Sequence, residues 1–335
     1  MADIGVVYLY RFAEGELPAR AFLDSYRVHP AGLDHELHVI FKGFPDARAL
    51  GFARTIFAGL PINPIELDDS GHDVGSYFAA AKRVSNRRLI FFNTFSELLA
   101  DDWLKKFDDA LSLPEVGLVG ATGSWQSLNS YYEAVIRLGW QEIKHKLGSP
   151  TRLAPSPPPA KENQDMKGNN GDTQRIPASK KRPFIVQIGR GLYRLVRLDR
   201  YFLYLYQYGR FPNPHIRTNA FMIERNRFLS LHAPPFDKKG DLYKFESGRR
   251  SMTKQILSQG LKPLVVDRTG KVYNASEWKS SSTFWINRQR NLIAADNRTR
   301  DYAQGDEALR TWLEDNAWAY PSSWTTRGRR FWASE

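Results

Sequence analysis

Five short apolar runs recur through the first 120 residues with helix-like stretches between them. This alternation constrains the fold more than any other feature of the chain. The runs are Ile4–Tyr10, Leu37–Phe41, Pro64–Leu67, Leu89–Phe92 and Val116–Val119. Segments this short and apolar read as strands buried on both faces. Between them, Ala19–Tyr26, about Val74–Val84 and Asp101–Leu111 carry helical spacing. Asp101 and Asp102 open the last of these, where acidic side chains suit the positive end of a helix. Strands alternating with helices predict an α/β fold, a mostly parallel sheet covered by helices on both faces.

The pattern breaks at 149–183, which holds Pro155, Pro157, Pro158, Pro159, Asn169-Asn170-Gly171 and Lys180-Lys181-Arg182. Such a stretch reads as a disordered loop or linker. Residues 184–210 then read as a basic amphipathic helix. Ile185, Ile188, Leu192, Leu195 and Phe202 follow helical spacing, and Arg190, Arg194 and Arg197 form a separate stripe. Residues 211–335 resume with a strand at Ala220–Ile223, a helix at Ser251–Gln259 and a strand at Leu264–Val266. An irregular, aromatic-rich tail with Trp278, Trp285, Trp312, Trp318, Trp324 and Trp332 follows. The expected division is therefore 1–148, linker 149–183, helix 184–210 and a second half at 211–335.

The 335 residues include no cysteine, which excludes disulfides, zinc-thiolate sites, iron–sulfur clusters and thiol nucleophiles. No run of about 18 apolar residues predicts a transmembrane helix. Met1–Gly5 lacks the basic start of a signal peptide, so a cytoplasmic protein is expected. Charge is uneven: residues 1–150 carry 15 Lys/Arg against 19 Asp/Glu, whereas 151–335 carry 33 against 17. That surplus predicts an anionic partner, whether nucleic acid, a phospholipid surface or a diphosphate. No metalloprotease, phosphate-loop or nucleophile-elbow motif is present. Gly189-Arg190-Gly191 lacks the third glycine and the preceding strand of a dinucleotide site.

Three further segments carry the chemistry. The first is Asp68-Asp69-Ser70-Gly71-His72-Asp73-Val74-Gly75-Ser76, directly after the third run. The second is Leu89-Ile90-Phe91-Phe92-Asn93-Thr94-Phe95-Ser96-Glu97. The third is Lys244-Phe245-Glu246-Ser247-Gly248-Arg249-Arg250, after His215-Ile216-Arg217-Thr218-Asn219 and before Leu264-Val265-Val266. In this order they resemble a nucleotide-sugar-dependent glycosyltransferase of the GT-A (Rossmann-like) fold, in the broad family-2-like group of bacterial polysaccharide and lipopolysaccharide synthesis.

The resemblance implies that Tyr10, Arg11, Lys42, Asp69 and Asp73 flank the nucleotide, and that Asn93, Thr94, Phe95 and Glu97 face the diphosphate and sugar. It also implies Mg²⁺ or Mn²⁺ held by two carboxylates in the second segment. Here Asn93 and Phe95 stand at those places, which leaves Glu97 as the one candidate ligand. Without a metal, cationic side chains must offset the diphosphate charge. Glu246 matches the general base of an inverting transfer to an acceptor hydroxyl. His215, Arg217, Asn219, Arg249 and Arg250 match acceptor or diphosphate contacts. Implied partners are a nucleotide-diphosphate sugar, a glycan or lipid-linked acceptor, and an anionic inner-membrane surface bound peripherally through 180–210. Nucleic acid is not expected.

Plainer readings stand beside these. Asp73 also reads as a first-turn acid behind a cap at Asp69 or Ser70, and Glu246 as a helix-start acid. Asp296-Asn297-Arg298-Thr299 reads as a turn held by its side chains or as part of the acceptor side. Two other classes compete with the enzyme: a basic nucleic-acid-binding protein, and a non-catalytic GT-A-like domain that binds a glycan or nucleotide.

Overall fold

The computed structural model describes residues 2–134 and 205–320. The five apolar runs become strands β1 (Ile4–Arg11), β2 (Glu36–Lys42), β3 (Ile62–Leu67), β4 (Arg88–Phe92) and β6 (Val116–Gly120). From the second half come β9 (Ala220–Glu224), β10 (Lys262–Val266) and β11 (Val272–Tyr273). These eight form one sheet in the order β11-β10-β6-β9-β4-β1-β2-β3. β3, β2, β1 and β4 run parallel, as do β6 and β10, while β9 is antiparallel to both its neighbours. Phe91 pairs with Phe221 and Phe92 with Ala220. A strand from beyond residue 204 therefore lies mid-sheet, and the two halves of the chain share one sheet. Short pairs complete the set: β5 (Glu97–Leu98) with β12 (Ala294–Ala295), and β7 (Gly123–Ser124) with β8 (His215–Ile216).

Alternate residues of β1 feed two cores, as the two-residue period of a strand requires. Val6 and Tyr8 face Phe22, Phe92, Trp103 and Phe107, whereas Val7 and Leu9 face Tyr77, Phe91, Phe228 and Ile256. The helices over these faces are α1 (Leu17–Val28), α2 (Ala47–Thr55), α3 (His72–Arg83), α4 (Trp103–Leu111), α5 (Arg225–Ser230), α6 (Lys239–Ser247), α7 (Met252–Ser258), α8 (Asn297–Gln304) and α9 (Glu307–Trp318).

The structure corrects three expectations. The tail is not irregular through 297–318, because Asp296 and Asp306 cap two helices and Trp312 and Trp318 are buried on the second. Asp296 and Thr299 bond reciprocally, so the expected turn is a helix start. Asp102 precedes α4 in a left-handed conformation, φ 54°, and its side chain makes no cap bond. The expected linker at 149–183 lies outside the described residues. So does the basic helix at 184–210, except for its last residues, of which 205–207 are helical. Among the described residues, no helix is long and apolar enough to cross a membrane.

Candidate functional site

Parallel strands bring their C-terminal ends to one edge of a sheet, where loops are free to vary. Lys42 ends β2 there, and its side chain is buried. Its ammonium donates to Ser70 O (2.8 Å), His72 O (2.5 Å) and Ser76 Oγ (2.9 Å), which uses all three protons. Burial pulls its pKa down, and Asp73 and Asp69 push it back up. Lys42 thus ties the 68–76 bend to the sheet and has no N–H left for a ligand. The bend passes through left-handed Gly71 (φ 75°) and His72 (φ 49°). Glycine suits the first of these positions for conformational reasons. Gly75 has no such need, since a Cβ there would lie 3.5 Å from Phe236, an ordinary contact.

Arg11, at the end of β1, grips Asp69 through two 2.7 Å bonds and holds its carboxyl below the usual range. Asp73 sits half-buried in the first turn of α3. Among the described residues, no hydrogen bond reaches its carboxylate. Burial raises its pKa, and Lys42, Arg11 and His72 offset only part of that.

The 93–97 loop follows β4. Asn93 Oδ1 accepts from Phe95 N (3.1 Å) and Ser96 Oγ (2.9 Å). Thr94 is buried, and its carbonyl accepts from the Tyr8 hydroxyl (2.8 Å). Arg300 Nη1, from α8, donates to Phe95 O (3.1 Å) and Glu97 Oε1 (2.5 Å). The donor set therefore does not fit a divalent cation. Asn93 Oδ1 and Phe95 O are occupied by donors, and the single carboxylate is paired with a guanidinium. Among the described residues, no group of three His, Cys, Asp or Glu is placed to hold a metal ion.

The opposite wall comes from β8, the residues after it and α6. Glu246 Oε2 accepts from Thr218 N (2.9 Å) and Thr218 Oγ1 (2.7 Å). Burial raises the Glu246 pKa, but Arg217, His215 and the two Thr218 donors together hold it below the usual carboxylate value. His215 is buried and donates Nδ1–H to Asn213 O (2.8 Å); burial lowers its pKa, against the pull of Glu246. The Arg217 guanidinium carbon sits 4.4 Å from the centre of the Phe284 ring, with Nη2 3.8 Å from Asp296 Oδ2. Asn219 Oδ1 accepts from Thr122 Oγ1 (2.9 Å), and its carbonyl accepts from Asn93 N (3.1 Å).

Tyr77 of α3 packs against Phe91 and Phe221 of the sheet. Its hydroxyl is buried with no partner among the described residues, and burial, with Asp73, Tyr8 and Asp296, raises its pKa. Arg300 joins α8 to the 93–97 loop, and Arg217 joins the start of α8 to the wall that carries Glu246, which gathers these groups into one region. Tyr10 is not part of it. That ring lies on the other face of the sheet against Phe41, Phe44 and Phe57, beside a cleft of about 500 Å³. Arg249 and Arg250 are exposed and line a different cavity of about 520 Å³ with Tyr206, His232 and Lys244.

Sequence reasoning missed Tyr77, Thr218 and Arg300 as site residues. For α8 a signal existed in Asp296-x-x-Thr299, the spacing of a reciprocal cap. Burial, and after it the charge of Arg217, lower the Arg298 pKa.

No family model and no curated protein matches the sequence. Parts of the chain are similar to solved structures. One is the mannosyltransferase PcManGT from Pyrobaculum calidifontis in complex with GDP-Man and Mn2+: 17% identity over 40% of this chain and 38% of that one, TM-score 0.30. A second is S. aureus TarS 1-349 in complex with UDP-GlcNAc: 14% identity over 36% of this chain and 34% of that one, TM-score 0.28. A third is mouse xyloside xylosyltransferase 1 in its apo form: 16% identity over 47% and 62%, TM-score 0.26. The chain spans less than two thirds of the length of each of these structures.

Proposed function

We propose that the protein is an inverting glycosyltransferase that moves a sugar from a nucleoside diphosphate onto an acceptor hydroxyl. The observation that carries this reading is the setting of Glu246. One carboxylate oxygen is fixed by Thr218, and Arg217 and His215 favour the ionised form. The other oxygen, Oε1, accepts no hydrogen bond among the described residues. An ionised carboxylate held in one orientation with one oxygen available suits a general base.

In this reading the acceptor O–H gives its proton to Glu246 Oε1 as its oxygen bonds to the anomeric carbon. The bond from that carbon to the diphosphate oxygen breaks, and the electron pair leaves on the diphosphate. One in-line displacement inverts the anomeric centre. Asp73 accepts hydrogen bonds from the nucleoside, with Arg11 and Asp69 shaping the rim around it. The donor half is 1–148 and the acceptor half 211–335. The acceptor is a glycan or lipid-linked sugar of a bacterial surface polysaccharide, reached at the cytoplasmic face of the membrane.

The test is a melting-temperature screen with UDP-, GDP-, dTDP- and CMP-sugars, followed by transfer assays with Glu246→Gln. A ligand that prefers the folded state raises the melting temperature. The expected result is stabilisation by one nucleotide class, and a variant that binds the donor but does not transfer. No stabilisation by any donor, with salt-sensitive retention of oligonucleotides, overturns this function in favour of nucleic-acid binding.

A further inference from the structure

We infer that this site takes the donor's diphosphate on Arg300, Arg217 and Asn219 in place of a divalent metal ion. The inference rests on the glycosyltransferase reading and deepens it by naming what neutralises the leaving group. Three independent observations support it.

The first is the position of Arg300. Its Nη1 bridges Phe95 O and Glu97 Oε1, the carbonyl and the carboxylate of the loop after β4. A hard cation prefers such oxygens, and here a fixed positive group already sits on them. A divalent ion at Glu97 would have to displace that guanidinium or lie against it, and like charges at that range repel. A guanidinium has five N–H donors. Among the described residues, the remaining N–H groups of Arg300 have no side-chain or backbone acceptor. The side chain is 31% exposed, so part of it is open to a ligand.

The second is Arg217. Its Nη1 is buried with no partner among the described residues, and its guanidinium sits over the Phe284 ring. A buried guanidinium N–H with no acceptor is costly unless a ligand supplies one. The third is Asn219, 4% exposed, whose Nδ2 is also buried with no partner among the described residues. Its backbone carbonyl takes hydrogen bonds from Asn93 N and Ser96 Oγ, which ties residue 219 to the loop that Arg300 grips. All three are donors. Arg300 and Arg217 are joined through α8, since Asp296, 3.8 Å from Arg217, caps the helix that carries Arg300. Guanidiniums bind phosphate oxygens in a fork. Held in place before the reaction, they stabilise negative charge as it develops on the departing diphosphate.

Calorimetric titration of the full chain with UDP, GDP and inorganic pyrophosphate, each in EDTA and each with Mn²⁺, tests this. The expected result is binding of one nucleoside diphosphate in EDTA. Arg300→Ala should weaken it about ten- to hundredfold, the loss expected for charge-assisted hydrogen bonds. Arg300→Lys, which keeps the charge and loses the fork, should fall between the two and guards against a folding defect in the alanine variant. Binding that requires Mn²⁺, or metal-free binding indifferent to both Arg300 variants, overturns the guanidinium site and leaves the glycosyltransferase reading standing. No binding of any nucleoside diphosphate in either condition overturns both.

Discussion

Asp73 and Glu246 are both half-buried helix acids, yet their surroundings push them in opposite directions. Asp73 lies in the first turn of α3, where the helix dipole favours a negative charge. Its pKa is nonetheless raised, because burial acts on a carboxylate that accepts no hydrogen bond among the described residues. Glu246 lies in the last turn of α6, where the dipole opposes a negative charge. Its pKa is nonetheless lowered, because Arg217, His215 and Thr218 outweigh burial. Direct donors and nearby charges decide ionisation here, and helix position does not. Two acids whose environments separate their pKa values are suited to different tasks. Glu246 fits proton acceptance, and Asp73 fits recognition.

The largest expected effect tests that division of labour. Glu246→Gln should lower kcat about 10²- to 10⁴-fold, the range for loss of a general base. Asp73→Asn should act mainly on KM, by about tenfold, as removal of a binding contact does. Steady-state kinetics on both variants checks this, and equal losses in kcat would break the comparison.

Stability separates the two walls next. Lys42→Met strips a charged donor from three acceptors of the bend and should cost roughly 3 kcal/mol. Thr218→Val removes one hydroxyl bond and should cost about 1 kcal/mol. Urea midpoints measure both. The same Thr218 variant should raise the Glu246 pKa and move the acid limb of the kcat/KM profile upward. An unmoved limb would detach Glu246 from catalysis.

A smaller effect follows from titration. The folded pKa of His215 lies below its ordinary 6.5, so the unfolded chain binds that proton more readily. Its contribution to stability is complete above that value and is lost as pH falls below it. The folded pKa of Asp73 lies above its ordinary 3.8, so its contribution has the opposite sign and weakens as pH rises through the acid range. Melting temperature should therefore drop between about pH 7 and pH 5. His215→Gln should flatten that slope, and an unchanged slope would remove His215 as its source. Arg11→Gln should have the least effect, under about 1 kcal/mol, because its pair with Asp69 is largely exposed. A larger loss in the denaturation midpoint would show that the rim depends on this pair more than its exposure suggests.

The strands were the most legible part of the chain, because burial on both faces leaves a continuous apolar run that needs no partner to be recognised. α2 and α6 were not legible. Ala47–Thr55 contains Gly51, and Lys239–Ser247 is mostly polar, so neither carries a clear apolar stripe. Glu246 was identified as a candidate through its surrounding segment, although its helix was not. Lys42 was legible as a basic residue at a strand end, but its three acceptors lie 28 to 34 residues away and only folding brings them to it.

The sequence by itself determined the alternating α/β plan, the glycine-bearing bend after β3 and the lack of paired acids after β4. Each is a local property, read from side-chain size, polarity and spacing within a few residues. The tertiary structure alone decided that Arg300 meets Glu97 across 203 positions and that Thr218 orients Glu246 across 28. It also decided that β9 enters the middle of the sheet. Electrostatic energy depends on separation in space and on exclusion of water. Both are set only when distant segments pack, so the ionisation of these acids is a property of the fold.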